Sequence, residues 1–184
     1  HAVLFRERGK FRIVGDDGTE LGPGHVGEIY VRNYGTSDFT YHGQDAKRRE
    51  IDREGLISVG DVGYLDDDGF LYIVDRIKDV INTGGVLVAS RDVEEALFTH
   101  PAVSEVAVIA LPDPKWIEAI TAVVVLRPGT TASEDDLIAH ARPHLAPFKL
   151  PKRVIFADDL PRNTAGKLLK RELRRIHGAE TPWK

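Results

Sequence analysis

Hydrophobic and polar positions alternate through the first part of the chain. Phe11-Arg12-Ile13-Val14 and Glu28-Ile29-Tyr30-Val31-Arg32 repeat with the period of two that a half-buried strand requires. Asp16-Asp17-Gly18 reads as a turn between strands, and Gly22-Pro23-Gly24 and Gly35-Thr36-Ser37-Asp38 read as loops. From Gln44 to Glu54 charge dominates, which leaves a loop or a short helix open. Strands return over Leu56 to Leu65 and Phe70 to Val74, joined by Asp66-Asp67-Asp68-Gly69, whose Asp-Gly pair is a hairpin signal. Turn chemistry favours a solvated turn over a metal site for that acidic triplet.

At Asp75-Arg76-Ile77-Lys78-Asp79 alternating charge interrupts the apolar strands, and a domain boundary is expected there. Val80-Ile81-Asn82 follows as a short strand and Thr83-Gly84-Gly85 as a tight turn. Ser90 is the expected N-cap of a helix with Asp92, Glu94 and Glu95 near its start and Val93, Ala96 and Leu97 on its apolar face. That helix should end near His100-Pro101. Val103 to Leu111 and Ala119 to Leu126 are β-branched runs that predict buried strands. Ser133 and Asp136 predict a capping box before a helix carrying Leu137, Ile138 and Ala141. A strand over Arg153 to Phe156 and a helix from about Leu168 to Ile176, stopped by Gly178, complete an α+β unit. The first half is a set of strands with few helices to cover them. No internal repeat, low-complexity tract or long flexible linker interrupts the two.

Composition narrows the function. The 184 residues are 42% hydrophobic and 29% charged, a globular balance. With no cysteine, disulfides, thiolate metal sites and a cysteine nucleophile are excluded together. A net charge of -4 argues against wholesale nucleic-acid binding. Between Lys149 and Arg175, however, nine Lys/Arg face only three Asp/Glu, a local field suited to a phosphate-bearing ligand. No apolar run is long enough to span a bilayer. The chain opens on His1, and a piece of a larger protein is the expectation.

Three polar groups interrupt the scaffold where burial gives no reason for them. Asp61, in Ser58-Val59-Gly60-Asp61, could accept hydrogen bonds from the vicinal hydroxyls of a ribose, with Arg76 bracing the sugar or a phosphate. A strand-end turn residue and a surface ion pair explain the same residues taken singly. Pro161-Arg162-Asn163-Thr164-Ala165-Gly166-Lys167 is a turn-forming run that sets a lysine behind a glycine before a cationic helix. Alone, the stretch favours a plain loop with a solvated lysine. His140 and His144 are spaced to share a helix face, but no Glu follows the first as in a zinc motif, and Pro143 should break that turn; no metal site is expected there.

Taken in order, Gly27-Glu28-Ile29, Tyr41-His42-Gly43, Ser58 to Tyr64, Asp75 to Ile81, Thr83-Gly84-Gly85 and Pro161 to Lys167 resemble the C-terminal part of an adenylate-forming acyl-CoA synthetase. Val88-Ala89-Ser90-Arg91-Asp92-Val93-Glu94-Glu95 leans toward the fatty-acyl-CoA ligase branch. The resemblance implies that residues 1–75 are the β-rich tail of a large N-terminal domain and 76–184 a mobile small α+β domain. It implies a parent enzyme that uses ATP to convert a fatty acid to acyl-AMP and transfers the acyl group to coenzyme A. Mg would be bound mainly by the absent N-terminal domain.

By the same resemblance Asp61 and Arg76 contact ATP or AMP, Lys78 is the hinge, and Lys167 is the catalytic lysine of adenylate formation. Gly84 and Gly85 would face the pantetheine arm, and Phe148, Lys149 and Lys152 the nucleotide of coenzyme A. A plain hairpin turn, and a core aromatic with solvated lysines, remain the competing accounts of these last two groups. The partners implied are fatty acid, ATP, coenzyme A and the N-terminal domain, without nucleic acid or a transmembrane segment. The implied location is cytoplasmic, with peripheral membrane association open to the parent enzyme.

Val86-Leu87 stands where the family commonly has Glu-Asn, Ser90 where it often has proline, and Lys78 where many relatives have aspartate. These departures bear on the thioester-forming surface. One rival is an adenylation domain or fatty-acyl-AMP ligase that loads a carrier protein. The other is a non-enzymatic nucleotide-binding or interaction module.

Overall fold

The structure, a computed structural model, describes residues 2–3, 11–15, 17–32, 52–53 and 56–178. Asp16, the Gly35–Asp38 loop, Tyr41-His42-Gly43 and most of the charged segment from Gln44 lie outside the described residues. The chain divides into two compact units between Lys78 and Asp79.

The first unit is an antiparallel sheet built from β1 (Ala2–Val3), β2 (Phe11–Val14), β3 (Gly27–Arg32), β4 (Asp52–Arg53), β5 (Leu56–Leu65) and β6 (Leu71–Arg76), in the order β1-β6-β5-β3-β2 with β4 also on β5. Period-two alternation sorts its side chains: Ile13, Ile29 and Leu71 form one buried cluster, and Val14, Tyr30 and Leu56 a second. The acidic triplet is a hairpin turn between β5 and β6. The Asp66 carboxylate accepts from the amides of Asp68 and Phe70 at 3.1 and 2.8 Å, which is why an aspartate begins it.

The second unit is α+β. Its elements are β7 (Val80–Thr83), β8 (Val86–Ala89), α1 (Ser90–Phe98), β9 (Val103–Asp113), β10 (Ile117–Leu126), α2 (Glu134–Ala141), β11 (Arg153–Phe156) and α3 (Lys170–Gly178). The sheet order is β11-β10-β7-β8, with β9 on β10; β10 and β11 are parallel and the other pairs antiparallel. Both faces of β9 and β10 are covered, so their sequences are apolar almost throughout. Val108, Ile120, Ala122 and Val124 pack with Val93 and Leu97 of α1 and Leu137 of α2. Ala107, Ile109, Leu111 and Val123 pack on the other side with Leu160 and Leu173 of α3. Leu137 is fully buried, and its truncation to Ala should cost about 2–5 kcal/mol.

The expected capping box forms: the Ser133 hydroxyl accepts from the Asp136 amide at 3.2 Å, and the Asp136 carboxylate accepts from the Ser133 amide at 2.9 Å. Two local expectations are corrected, and one strand is added. Ser90 is not an N-cap: Ala89 holds that position without a side-chain bond, and Ser90 lies buried in the first turn, its hydroxyl accepting from the Lys170 ammonium at 2.6 Å. The tertiary partner outcompetes the local cap. Val86–Ala89 forms the added strand, paired with β7, which makes the expected turn at Thr83-Gly84-Gly85 the tip of a hairpin. The last helix begins at Lys170, not Leu168, because Leu168 is held in a β-bridge to Arg162.

Candidate functional site

Asp61 is delivered by an irregular strand. Between β3 and β5, Glu28 faces Val62 and Tyr30 faces Ser58, so four steps on β5 match two on β3 and Val59-Gly60-Asp61 is bulged outward. Gly60 makes this possible with φ +75°, and an added side chain there would meet nothing within 4 Å; backbone conformation, not space, calls for glycine. Ser58 ties the base of the bulge, donating to Glu28 and accepting from the Gly60 amide at 3.2 Å. Asp61 pairs in register with Arg76 at the end of β6, whose Nε lies 3.0 Å from the carboxylate. One carboxylate oxygen is thus engaged, and the other has no bond among the described residues. An acceptor beside a fixed guanidinium suits a diol next to a phosphate.

Lys167 stands on a loop bonded to itself. The Asn163 carboxamide oxygen accepts from the amides of Ala165 and Lys167 at 3.0 and 2.8 Å, and the Asn163 amide donates to the Lys167 carbonyl at 2.9 Å. Gly166 closes the turn with φ +79°. The Leu169 amide donates to the Pro161 carbonyl at 2.8 Å, so the stem also is paired. The Lys167 side chain is exposed and has no ion pair among the described residues. A charge on a preshaped loop is available to an anion without first breaking a protein contact.

The Gly84-Gly85 tip is held from the β9–β10 connection. The Gly84 amide donates to the Trp116 carbonyl at 2.6 Å, the Glu118 carboxylate accepts from the Asn82 amide at 2.7 Å, and the Asn82 oxygen accepts from the Gly85 amide at 2.9 Å. Both glycines have positive φ, and a Cβ on Gly84 would lie 3.4 Å from the Trp116 ring. The Lys115 and Lys152 ammoniums each lie 4.9 Å from the centroid of that ring. Burial, and then the neighbouring Lys115 charge, lowers the pKa of Lys152 below the ordinary lysine value. Neither lysine has a carboxylate partner among the described residues, so the pair favours an arriving anion. Ile117 beside them has φ +68° and is 60% exposed, an unfavourable conformation for a β-branched residue.

Phe148 and Lys149 belong to a short 3-10 turn, Pro147–Lys149. Phe148 is 45% exposed and stacks on no ring among the described residues, while the Lys149 ammonium is bound by Asp92 of α1 at 2.6 Å. The structure therefore gathers Gly84, Trp116, Lys115 and Lys152, and commits Lys149 to an internal ion pair. Lys78 lies in the 3-10 turn Ile77–Asp79, at the boundary between the units.

The sequence pattern of AMP-binding enzyme C-terminal domains matches residues 92–167, ending on Lys167. Residues 92–167 are thus an AMP-binding enzyme C-terminal domain. It is 42% identical over 163 residues to the fatty acid–[acyl-carrier-protein] ligase ScoC of Streptomyces coeruleorubidus, covering 89% of this chain and 31% of that protein. It is likewise 42% identical over 175 residues to the long-chain-fatty-acid–CoA ligase FadD13 of Mycobacterium tuberculosis, covering 92% of this chain and 33% of the relative. Among solved structures, ATP-bound MatB from Rhodopseudomonas palustris superposes with a TM-score of 0.79 at 36% identity, over 91% of this chain and 34% of that one. The o-succinylbenzoate CoA synthetase MenE of Bacillus subtilis, in complex with its acyl-adenylate intermediate, gives 0.79 at 34% identity, over 89% of this chain and 33% of that one. The chain thus spans about a third of the length of the relatives it matches.

Lys115 and Trp116 were not singled out by motif reading of this AMP-binding enzyme domain. Trp116 is one of only two tryptophans and stands beside a lysine in a polar connection, which was the available signal. Its approach to Lys152, distant in sequence, was not.

Proposed function

We propose that this chain is the C-terminal part of an ATP-dependent, AMP-forming acid–thiol ligase acting on a fatty acid, with 1–75 the tail of the large domain and 76–184 the mobile small domain turning about Lys78. The observation that carries the reading is the Lys167 ammonium, without an ion pair among the described residues, on a loop whose shape is fixed by its own hydrogen bonds. In the first step a substrate carboxylate oxygen attacks the α-phosphorus of ATP and the bond to pyrophosphate breaks. Two anions approach and charge builds on the bridging oxygen, which a positioned ammonium stabilises. Asp61 accepts from the ribose hydroxyls and Arg76 braces the nucleotide. In the second step the coenzyme A thiolate attacks the acyl carbon, AMP leaves, and the thiol proton passes to solvent. Gly84-Gly85 lets the pantetheine pass, while Lys152, Lys115 and Trp116, with Phe148, receive the nucleotide of coenzyme A.

One Asp61 oxygen is held by Arg76, and no three His, Asp or Glu side chains converge on a metal-binding geometry among the described residues. No Mg ligand is assigned among the described residues. No helix among the described residues is long and apolar enough to cross a membrane, and a cytoplasmic location is part of the proposal.

In the full-length protein, Lys167→Ala should lower adenylate formation by at least a hundredfold, as removal of a transition-state donor does. Thioester formation from supplied acyl-adenylate should survive; equal loss in both half-reactions contradicts the role. The 184-residue chain alone should show no ATP–pyrophosphate exchange, and detectable exchange would refute its dependence on the absent domain.

One observation favours a carrier protein as the acyl acceptor. Val86 and Leu87 are 44% and 46% exposed beside the glycine tip, and ScoC is named for carrier-protein ligation. Acyl transfer to free coenzyme A, compared with a phosphopantetheinylated carrier protein, discriminates the two.

A further inference from the structure

We infer that Arg162 is a positioning residue that fixes the Lys167 loop to the central sheet; this rests on the proposed role of Lys167. Arg162 uses both terminal nitrogens. Nη1 donates to the Gly166 carbonyl at 2.9 Å, the peptide oxygen that directly precedes Lys167, and Nη2 binds the carboxylate of Glu105 on β9. The planar guanidinium holds these two directions in one rigid group, so the carbonyl is set relative to a strand, not merely relative to the loop.

The loop's internal bonds alone would not achieve this. Asn163 shapes the turn between its own residues and Lys167, but it makes no tie from the turn to β9. On the downstream side Lys170 supplies the second anchor. Its ammonium lies 2.7 Å from Glu94 and 2.6 Å from the Ser90 hydroxyl, and its side chain is only 14% exposed. Glu94 also accepts from the Val108 amide of β9 at 2.8 Å. Lys167 is therefore suspended between two cationic side chains that reach carboxylates on structured elements, Arg162 before it and Lys170 after it. Both carboxylates touch β9: Glu105 as a residue of that strand and Glu94 through the Val108 amide.

Two anchors on one strand limit the travel of the loop, and a displacement near 1 Å at a reacting centre is enough for large losses in rate. An Arg162–Glu105 pair kept only for stability would contribute little, because both side chains are well exposed, at 46% and 39%. Arg162 is the better test of the two anchors, since Lys170 is mostly enclosed and its replacement would perturb the fold.

The experiment uses the full-length protein. Arg162→Ala should lower kcat for adenylate formation about tenfold, leave KM for ATP and the thioester half-reaction within about twofold, and keep the thermal midpoint unchanged. Arg162→Lys should restore part of the rate, since one ammonium cannot reproduce the rigid fork. The swap of Arg162→Glu with Glu105→Arg should not restore it, because a carboxylate cannot donate to the Gly166 carbonyl. Amide hydrogen exchange at Gly166 and Lys167 should quicken in Arg162→Ala. An unchanged kcat, equal losses in both half-reactions, or full rescue by the swap overturns the inference while leaving the role of Lys167 standing. An unaffected Lys167→Ala enzyme overturns both.

Discussion

Asp61 and Arg76 face each other across β5 and β6, and the guanidinium Nε sits 3.0 Å from a carboxylate lifted out of its strand by a bulge. The pair is too exposed to matter much to folding, since ion pairs of this kind contribute at most about 1 kcal/mol. Asp61→Asn should therefore change the thermal midpoint little. In the full-length protein it should raise KM for ATP about tenfold or more, because a charge-assisted acceptor is replaced by a neutral one. A large loss of stability with unaltered ATP kinetics would assign the pair to structure instead.

Gly85 has φ +87° and open space where a side chain would project. Gly85→Ala should thus destabilise the second unit by about 1–2 kcal/mol through backbone strain alone. Gly85→Val should additionally slow transfer to the thiol while adenylate formation continues, readable by comparing the two half-reactions.

Lys149 and Lys152 are three residues apart and differ in what they hold. Lys149 is paired with Asp92, whereas Lys152 lies over Trp116 beside Lys115 without a carboxylate among the described residues. Lys152→Ala should raise KM for coenzyme A about tenfold, and Trp116→Ala by a similar factor. Lys149→Ala should leave it within about twofold. The reverse ranking would relocate the nucleotide to the Phe148 turn.

His140 carries the pH dependence. Burial first, and then the nearby charges of His100 and His144, lower its pKa, while its Nε2 lies 2.8 Å from the Thr99 hydroxyl. The folded state therefore resists protonation more than the unfolded chain, whose histidine titrates near 6.5. The stability contribution is present above about pH 6.5 and is lost as the pH falls through the lowered folded value. Asp136 is also lowered, by its bonds from Ser133, but its contribution disappears only in the carboxylate range, well below that window. Thermal midpoints recorded between pH 7.5 and 5 should fall, and His140→Gln should flatten the decline. An equal decline in the variant would place the titration elsewhere.

Much of the fold was legible because its signals are local. The period-two runs of β2, β3 and β5, the Asp66–Gly69 hairpin turn, the continuous apolar strands β9 and β10, and the Ser133–Asp136 capping box all formed where their residues implied. Ser90 misled because its hydroxyl has two uses, and a cap signal carries no knowledge of Lys170, eighty positions away. Strand β8 was hidden for a related reason: four apolar or small residues show no period until the Gly84-Gly85 turn brings them back against β7.

The sequence by itself carried the resemblance, through short motifs in a fixed order, and with it the choice of which aspartate, arginine and lysine to follow. Only the tertiary structure decided how they are held. It bulged β5 to present Asp61, gave Lys149 to Asp92 while leaving Lys152 over Trp116, and tied the Gly166 carbonyl through Arg162 to Glu105. Each of those choices depends on residues far apart in the chain meeting within a few ångströms, and no local preference encodes such a meeting.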